Sequence, residues 1–143
     1  MKKVRSYTIR GTLLAAEVKR IQLFDGQFDT GFLIKKFVIA PKDINDSEKV
    51  QCKLTTETHT HETSWFWNRT SEIAWACWNT PTNSRYGQFS LIDPDAIIIE
   101  DLFIDATADS NEVINYYIEM EKVKVSEWKG ALAMVRNSNQ DVW

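Results

Sequence analysis

The feature that most constrains this chain is its hydrophobic period, which is two rather than 3.6 over most of its length. Tyr7 and Ile9 alternate with Thr8 and Arg10, and Val50, Cys52 and Leu54 alternate with Gln51, Lys53 and Thr55. Further on, Ile114, Tyr116, Ile118 and Met120 share one face, while Asn115, Tyr117, Glu119 and Glu121 share the other. Successive side chains of a strand point to opposite faces, so each segment is predicted to be a half-buried strand. Residues 32–40 read as one long strand. Residues 73–78 are apolar on both faces, which predicts a central or covered strand.

Breaks between these segments carry turn chemistry: Asp25-Gly26, Asp29-Thr30-Gly31, Pro41, Asn79 to Gly87, and Asp93-Pro94. Residues 96–105 read as an isoleucine-rich strand that turns through 106–111 into a return over 113–125, a hairpin. At residues 122–125 the apolar phase moves to odd positions, the mark of a bulge or a bend. Ser126 then caps a short helix over about 126–136, with Trp128, Leu132 and Val135 on one side. The expectation is an all-β fold: a two-sheet antiparallel sandwich of jelly-roll type with one short C-terminal helix. At 143 residues it fits a single domain, 1–143.

No apolar run approaches the roughly 20 residues of a membrane-spanning helix. The first residues have signal-peptide charges without the apolar stretch that should follow, so no leader is expected. Charge is distributed unevenly. Residues 1–40 carry eight Lys/Arg against three Asp/Glu, whereas residues 92–143 carry four against eleven. A strongly acidic third argues against a uniformly basic nucleic-acid binder, and no specific nucleic-acid partner is predicted. Two readings of the split stand open. Early and late strands neutralise one another inside the fold, or the basic face of one copy meets the acidic face of another. In the second reading Lys2, Lys3 and Arg5 would approach Glu119 and Glu121 of a neighbour.

Catalytic motifs are lacking. Glu57, His59 and His61 would share one face of a strand, and two imidazoles at i and i+2 can hold a metal. They are the only histidines, however, so the segment is expected to be an exposed polar loop or edge strand without metal or other cofactor. Cys52 and Cys77 are too few for a disulfide framework and read as buried free thiols. No Gly-x-Ser-x-Gly elbow and no phosphate-cradling glycine loop is present. The chain is expected not to be an enzyme.

The unusual feature is aromatic. Trp65, Phe66, Trp67, Trp75 and Trp78 fall within fourteen residues. Such side chains bury large areas in cores, and equally anchor interfaces. Trp65, Phe66, Trp67 and Trp78 are therefore candidates for a contact surface. The alternative is a carbohydrate- or ligand-binding module that uses Trp65, Trp67 and Trp78 as an aromatic platform.

Three stretches give the chain a family resemblance: residues 20–32, with Gln22-Leu23-Phe24-Asp25-Gly26, residues 53–57, and residues 72–76. Together with Ile99-Glu100-Asp101-Leu102-Phe103-Ile104, Asn115-Tyr116 and Asn137-Ser138-Asn139-Gln140-Asp141, they resemble small virion structural proteins of marine bacteriophages. The resemblance spans most of the chain and brings no catalytic residue with it. It implies a minor capsid, vertex or decoration subunit, made in the host cytoplasm and located in the virion. Its partners would be other virion proteins and copies of itself.

Overall fold

A computed structural model describes residues 2–24, 26, 29–43, 49–82, 85–109 and 113–124. Eight strands follow in order: β1 (Lys2–Leu14), β2 (Val18–Ile21), β3 (Thr30–Pro41), β4 (Lys49–Thr55), β5 (Glu72–Thr82), β6 (Arg85–Ile92), β7 (Leu102–Ala108) and β8 (Val113–Lys124). They form two antiparallel sheets, one ordered β1-β8-β3 and the other β2-β7-β4-β5-β6. The fold is all-β, with no helix among the described residues. The helix expected over 126–136, with Trp128, lies outside them.

Alternation decides which residues the sheets bury against each other. Phe37, Ile39, Ile114, Ile118 and Met120 from the three-stranded sheet join Val50, Cys52, Leu54, Ala74, Ala76, Ile104 and Ala106 from the five-stranded one in a single core. Every one of these side chains is buried. β8 holds the acidic part of the late chain between two strands of the basic early chain. Thr8 faces Glu119 and Ser6 faces Glu121 on one side, and Lys36 faces Glu119 on the other. Lys35 pairs with Glu121 at 3.3 Å, and Arg20 pairs with Asp101. At these positions the early and late charges meet inside one chain.

The apolar phase change near residue 122 also has a structural basis. Register shifts lie in the two neighbours of β8, between Lys3 and Arg5 opposite Val123 and Lys122, and between Ile34 and Lys36 opposite Met120 and Glu119. Each inserts one extra residue beside β8 and bends the ladder, while β8 itself keeps its alternation: Met120 belongs to the core between the sheets, and Val123 is buried outside it, opposite Gly31.

Two expectations require correction. The predicted hairpin over 96–125 does not form, because β7 belongs to the five-stranded sheet and β8 to the three-stranded one. The predicted strand at 96–105 begins only at Leu102. Residues 96–99 instead lie across β3 through a single antiparallel bridge, Phe32 to Ile98, with both N–H···O bonds at 2.8 Å. Gly31 permits this approach. A Cβ there would lie 2.6 Å from Ile97 Cγ2 and 2.9 Å from Ile99 Cδ1. Ala96, Ile98 and Ile99 are buried without belonging to a ladder, so their apolar character imitated a strand.

Candidate functional site

In the five-stranded sheet the outward side chains at the centre are covered, while Phe89 and Leu91 of the edge strand β6 stay exposed. Gln51, Lys53 and Thr55 of β4 stand in register with Thr107, Asp105 and Phe103 of β7. On the other flank Gln51 and Lys53 face Cys77 and Trp75 of β5. Residues 56–71, which join β4 to β5, fold back over this face and enclose a layer of charged groups.

Lys53 is the centre of one half. Its side chain is only 2% exposed, and Nζ donates to Glu62 Oε1 (2.8 Å), Glu72 Oε2 (2.8 Å) and the Ser64 carbonyl (3.0 Å). Those three acceptors use all three ammonium protons. Arg69 Nη1 donates to both Glu62 oxygens, at 2.8 and 3.0 Å, and its guanidinium lies 3.8 Å from the Phe66 ring centroid. Glu72 Oε1 accepts from the Phe66 N–H at 2.8 Å and from Trp75 Nε1 at 3.0 Å. Burial alone would raise the Glu62 carboxyl, but the bonds from Lys53 and Arg69 outweigh it and hold it below its ordinary value.

Asp105 is the centre of the other half. His59 Nε2 lies 2.9 Å from Oδ2, His61 Nδ1 lies 2.5 Å from Oδ1, and the Glu62 N–H donates to Oδ2 at 2.9 Å. Burial would raise this carboxyl too; the hydrogen bonds from His59, Glu62 and His61 prevail and keep it low. His59 shows why the pair is charged. Its Nδ1 faces the Glu57 carbonyl at 3.3 Å and Thr55 Oγ1 at 3.4 Å, and that hydroxyl already spends its proton on the Glu57 carbonyl. Both ring nitrogens therefore face acceptors, which favours the imidazolium, and the bond to Asp105 raises the His59 value.

The segment carrying Glu57, His59 and His61 is thus a loop, as one of the two expected forms, but the two imidazoles are half-buried against Asp105 rather than exposed. Among the described residues no group of three or more His, Cys, Asp or Glu side chains is arranged to hold a metal ion. Both cysteines are free, and burial pushes both thiols up, away from the thiolate that reactive chemistry needs.

The aromatic residues are divided between environments. Trp65 stacks on Phe89 with centroids 6.0 Å apart and planes at 26°, and Trp67, 61% exposed, meets the edge of buried Trp75 at 5.9 Å. Phe66 lies beneath Arg69 and Lys53. Trp78 sits on the opposite face of β5, against the core. Trp65, Trp67 and Trp78 therefore do not make one platform.

The charged candidates lie on the other sheet. The backbones of Lys2 and Lys3 pair with Lys124 and Val123. Arg5 is exposed and lies 5.0 Å over the Tyr7 ring. Glu119 accepts from the Tyr117 hydroxyl at 2.6 Å, and that bond raises the Tyr117 value.

Lys53, Asp105, Glu62, Arg69 and Glu72 were not singled out from the sequence. A signal existed for one of them: Asp105 is a lone carboxylate between Ile104 and Ala106 in an apolar strand, a position that demands a partner. No family description, no curated protein and no solved structure matches this chain.

Proposed function

We propose that the chain is a non-enzymatic structural subunit of a bacteriophage particle, a minor capsid, vertex or decoration protein built on a jelly-roll sandwich. The observation that carries the reading is strand order. Strands β1, β8 and β3 lie in one sheet and β2, β7, β4 and β5 in the other, the order made when a ribbon pairing first with last strands is wrapped into two layers. Only β6 departs from it, remaining beside β5, although Ser90 Oγ reaches across to the Phe37 carbonyl of β3 at 2.6 Å. Eight-stranded folds of this kind recur in viral shells and lectins, and a fold by itself does not fix a function.

Two features favour contact over chemistry. The charged groups under residues 56–71 are occupied with one another, so they hold that segment on the sheet. Beside them, Trp67 (61% exposed), Phe89 (41%) and Leu91 (42%) are linked through Trp65 and Trp75 into an apolar patch of the type that anchors protein interfaces. The location in the virion and the partners, other virion proteins and further copies, rest on the sequence resemblance. The test is peptide mass spectrometry on gradient-purified particles from cells expressing the gene during infection. The expected result is the chain at a fixed ratio to the major shell protein. Abundant chain in the lysate, with none in the particles, would overturn the reading.

A further inference from the structure

At the end of the covered face farthest from Asp105, the five-stranded sheet holds a partly open cavity of about 350 Å³. Two rows of outward residues form its floor. Gln51, with Thr107 and Cys77 on its flanks, makes one row; Lys49, with Asn79 as its register partner, makes the next. Asp109 joins that second row, its N–H lying 3.3 Å from the Lys49 carbonyl. Trp65 supplies the wall, braced from outside by its stacking on Phe89. Gln51 Nε2 donates to the Thr63 carbonyl at 2.7 Å, and Thr107 Oγ1 lies 3.4 Å from the Glu62 carbonyl. The floor and the segment bearing the wall are thus tied together, which makes the cavity a built feature of the fold.

We propose that this cavity is a binding site for a neutral saccharide, with Trp65 as the stacking wall. The chemistry of the lining selects the ligand class. An aromatic face carries negative charge density and attracts the slightly positive C–H groups on one face of a pyranose. The amides of Gln51 and Asn79 offer donors and acceptors, and the Thr107 oxygen adds an acceptor, which suits adjacent hydroxyls that both donate and accept. Lys49 and Asp109 bring opposite charges to one rim, so the site has no net charge to favour an anion or a cation. A wholly apolar ligand would strip water from these polar groups and give nothing back. The volume lies at the small end of the range for ligand pockets and fits a short saccharide.

The site does not depend on the chain being a particle subunit, and its test is separate from that one. Amide-detected NMR of the intact chain would be followed while methyl glucoside, methyl galactoside, N-acetylglucosamine or uridine is added. The expected result is a saturable shift of the Gln51 and Asn79 side-chain amides and the Trp65 indole with at least one sugar. Trp65→Ala should weaken that binding by about tenfold or more. Asn79→Ala and Asp109→Ala, which leave the bonds to residues 62 and 63 in place, should each weaken it by about two- to tenfold. No shift with any sugar, a response to uridine alone, or sugar binding that survives Asn79→Ala and Asp109→Ala unchanged would overturn the proposal.

Discussion

The two sheets share a core, yet their outer faces are opposites. On the three-stranded sheet Arg10 and Lys36 are exposed, and Lys35 reaches Glu121 with 49% of its side chain in water. On the five-stranded sheet the equivalent outward positions hold Lys53 and Asp105, almost wholly enclosed by residues 56–71. Both faces follow the same polar alternation in sequence. The difference is the cover, and it changes what a charge is worth. A solvated ion pair contributes about 0–1 kcal/mol, whereas removing one partner of a buried pair costs about 3–5 kcal/mol.

The comparison breaks most sharply at the two lysines. Lys53→Met would leave Glu72, 1% exposed, without its ammonium partner, and Glu62 with Arg69 alone. Urea unfolding should show a loss of about 3–5 kcal/mol, with amides of residues 56–71 exchanging faster. Lys36→Met, the same change on the bare face, should stay within about 0.5 kcal/mol. Equal losses for the two would mean that the covered face gives Lys53 no special role.

That contrast also marks what could be read from the sequence. Alternation placed Val50, Cys52 and Leu54 inward and so placed Lys53 outward, because strand geometry links neighbouring residues directly. Nothing in that pattern says whether an outward face meets water or another segment. Residues 56–71 look like a solvated loop because alternation does not say that their polar groups meet Lys53 and Glu72 on the flanking strands, or Asp105 at a separation of 43 positions from Glu62. His59 was visible, but Asp105 lies 46 positions away. Residues 96–99 misled for the converse reason. Burial demands apolar side chains whether or not a ladder forms, and only Gly31, in another strand, reveals the close crossing.

A second prediction uses pH to loosen the cover from one side at a time. Groups facing His59 are Asp105, which raises its value, the Glu57 carbonyl, which also raises it, and Lys53, which opposes them. A raised histidine contributes in full below its ordinary value of about 6.5 and loses that contribution as pH rises through the folded value. Asp105 is depressed, so its contribution is present above the ordinary aspartate value of about 3.9 and is lost as pH falls through the folded one. Residues 56–71 should therefore be held most firmly between about pH 4 and 6.5. Raising the pH toward 9 should cost at most about 1–2 kcal/mol, since the His59 side chain keeps 19% of its surface in water. His59→Gln should flatten the alkaline side of a urea-midpoint profile while leaving the acid side. An unchanged alkaline slope would assign it to another group.

The smallest effect belongs to the bare face, where it separates two uses of the same charges. Lys35 and Glu121 meet at 3.3 Å with 49% and 23% of their side chains exposed. A double-mutant cycle with Lys35→Ala and Glu121→Ala should give a coupling of about 0–1 kcal/mol that fades as salt shortens the screening length below about 8 Å. If this pair is all that Glu121 does, Lys35→Ala and Glu121→Ala should leave the sedimentation coefficient alike. If Glu121 also meets Lys2, Lys3 or Arg5 of another copy, Glu121→Ala should slow sedimentation at low salt while Lys35→Ala does not. Stability is the weaker readout here, because contacts between solvated charges change it by only about 0–1 kcal/mol in either variant. The sedimentation difference, and not the melting temperature, is what distinguishes charges that close one chain from charges that join two.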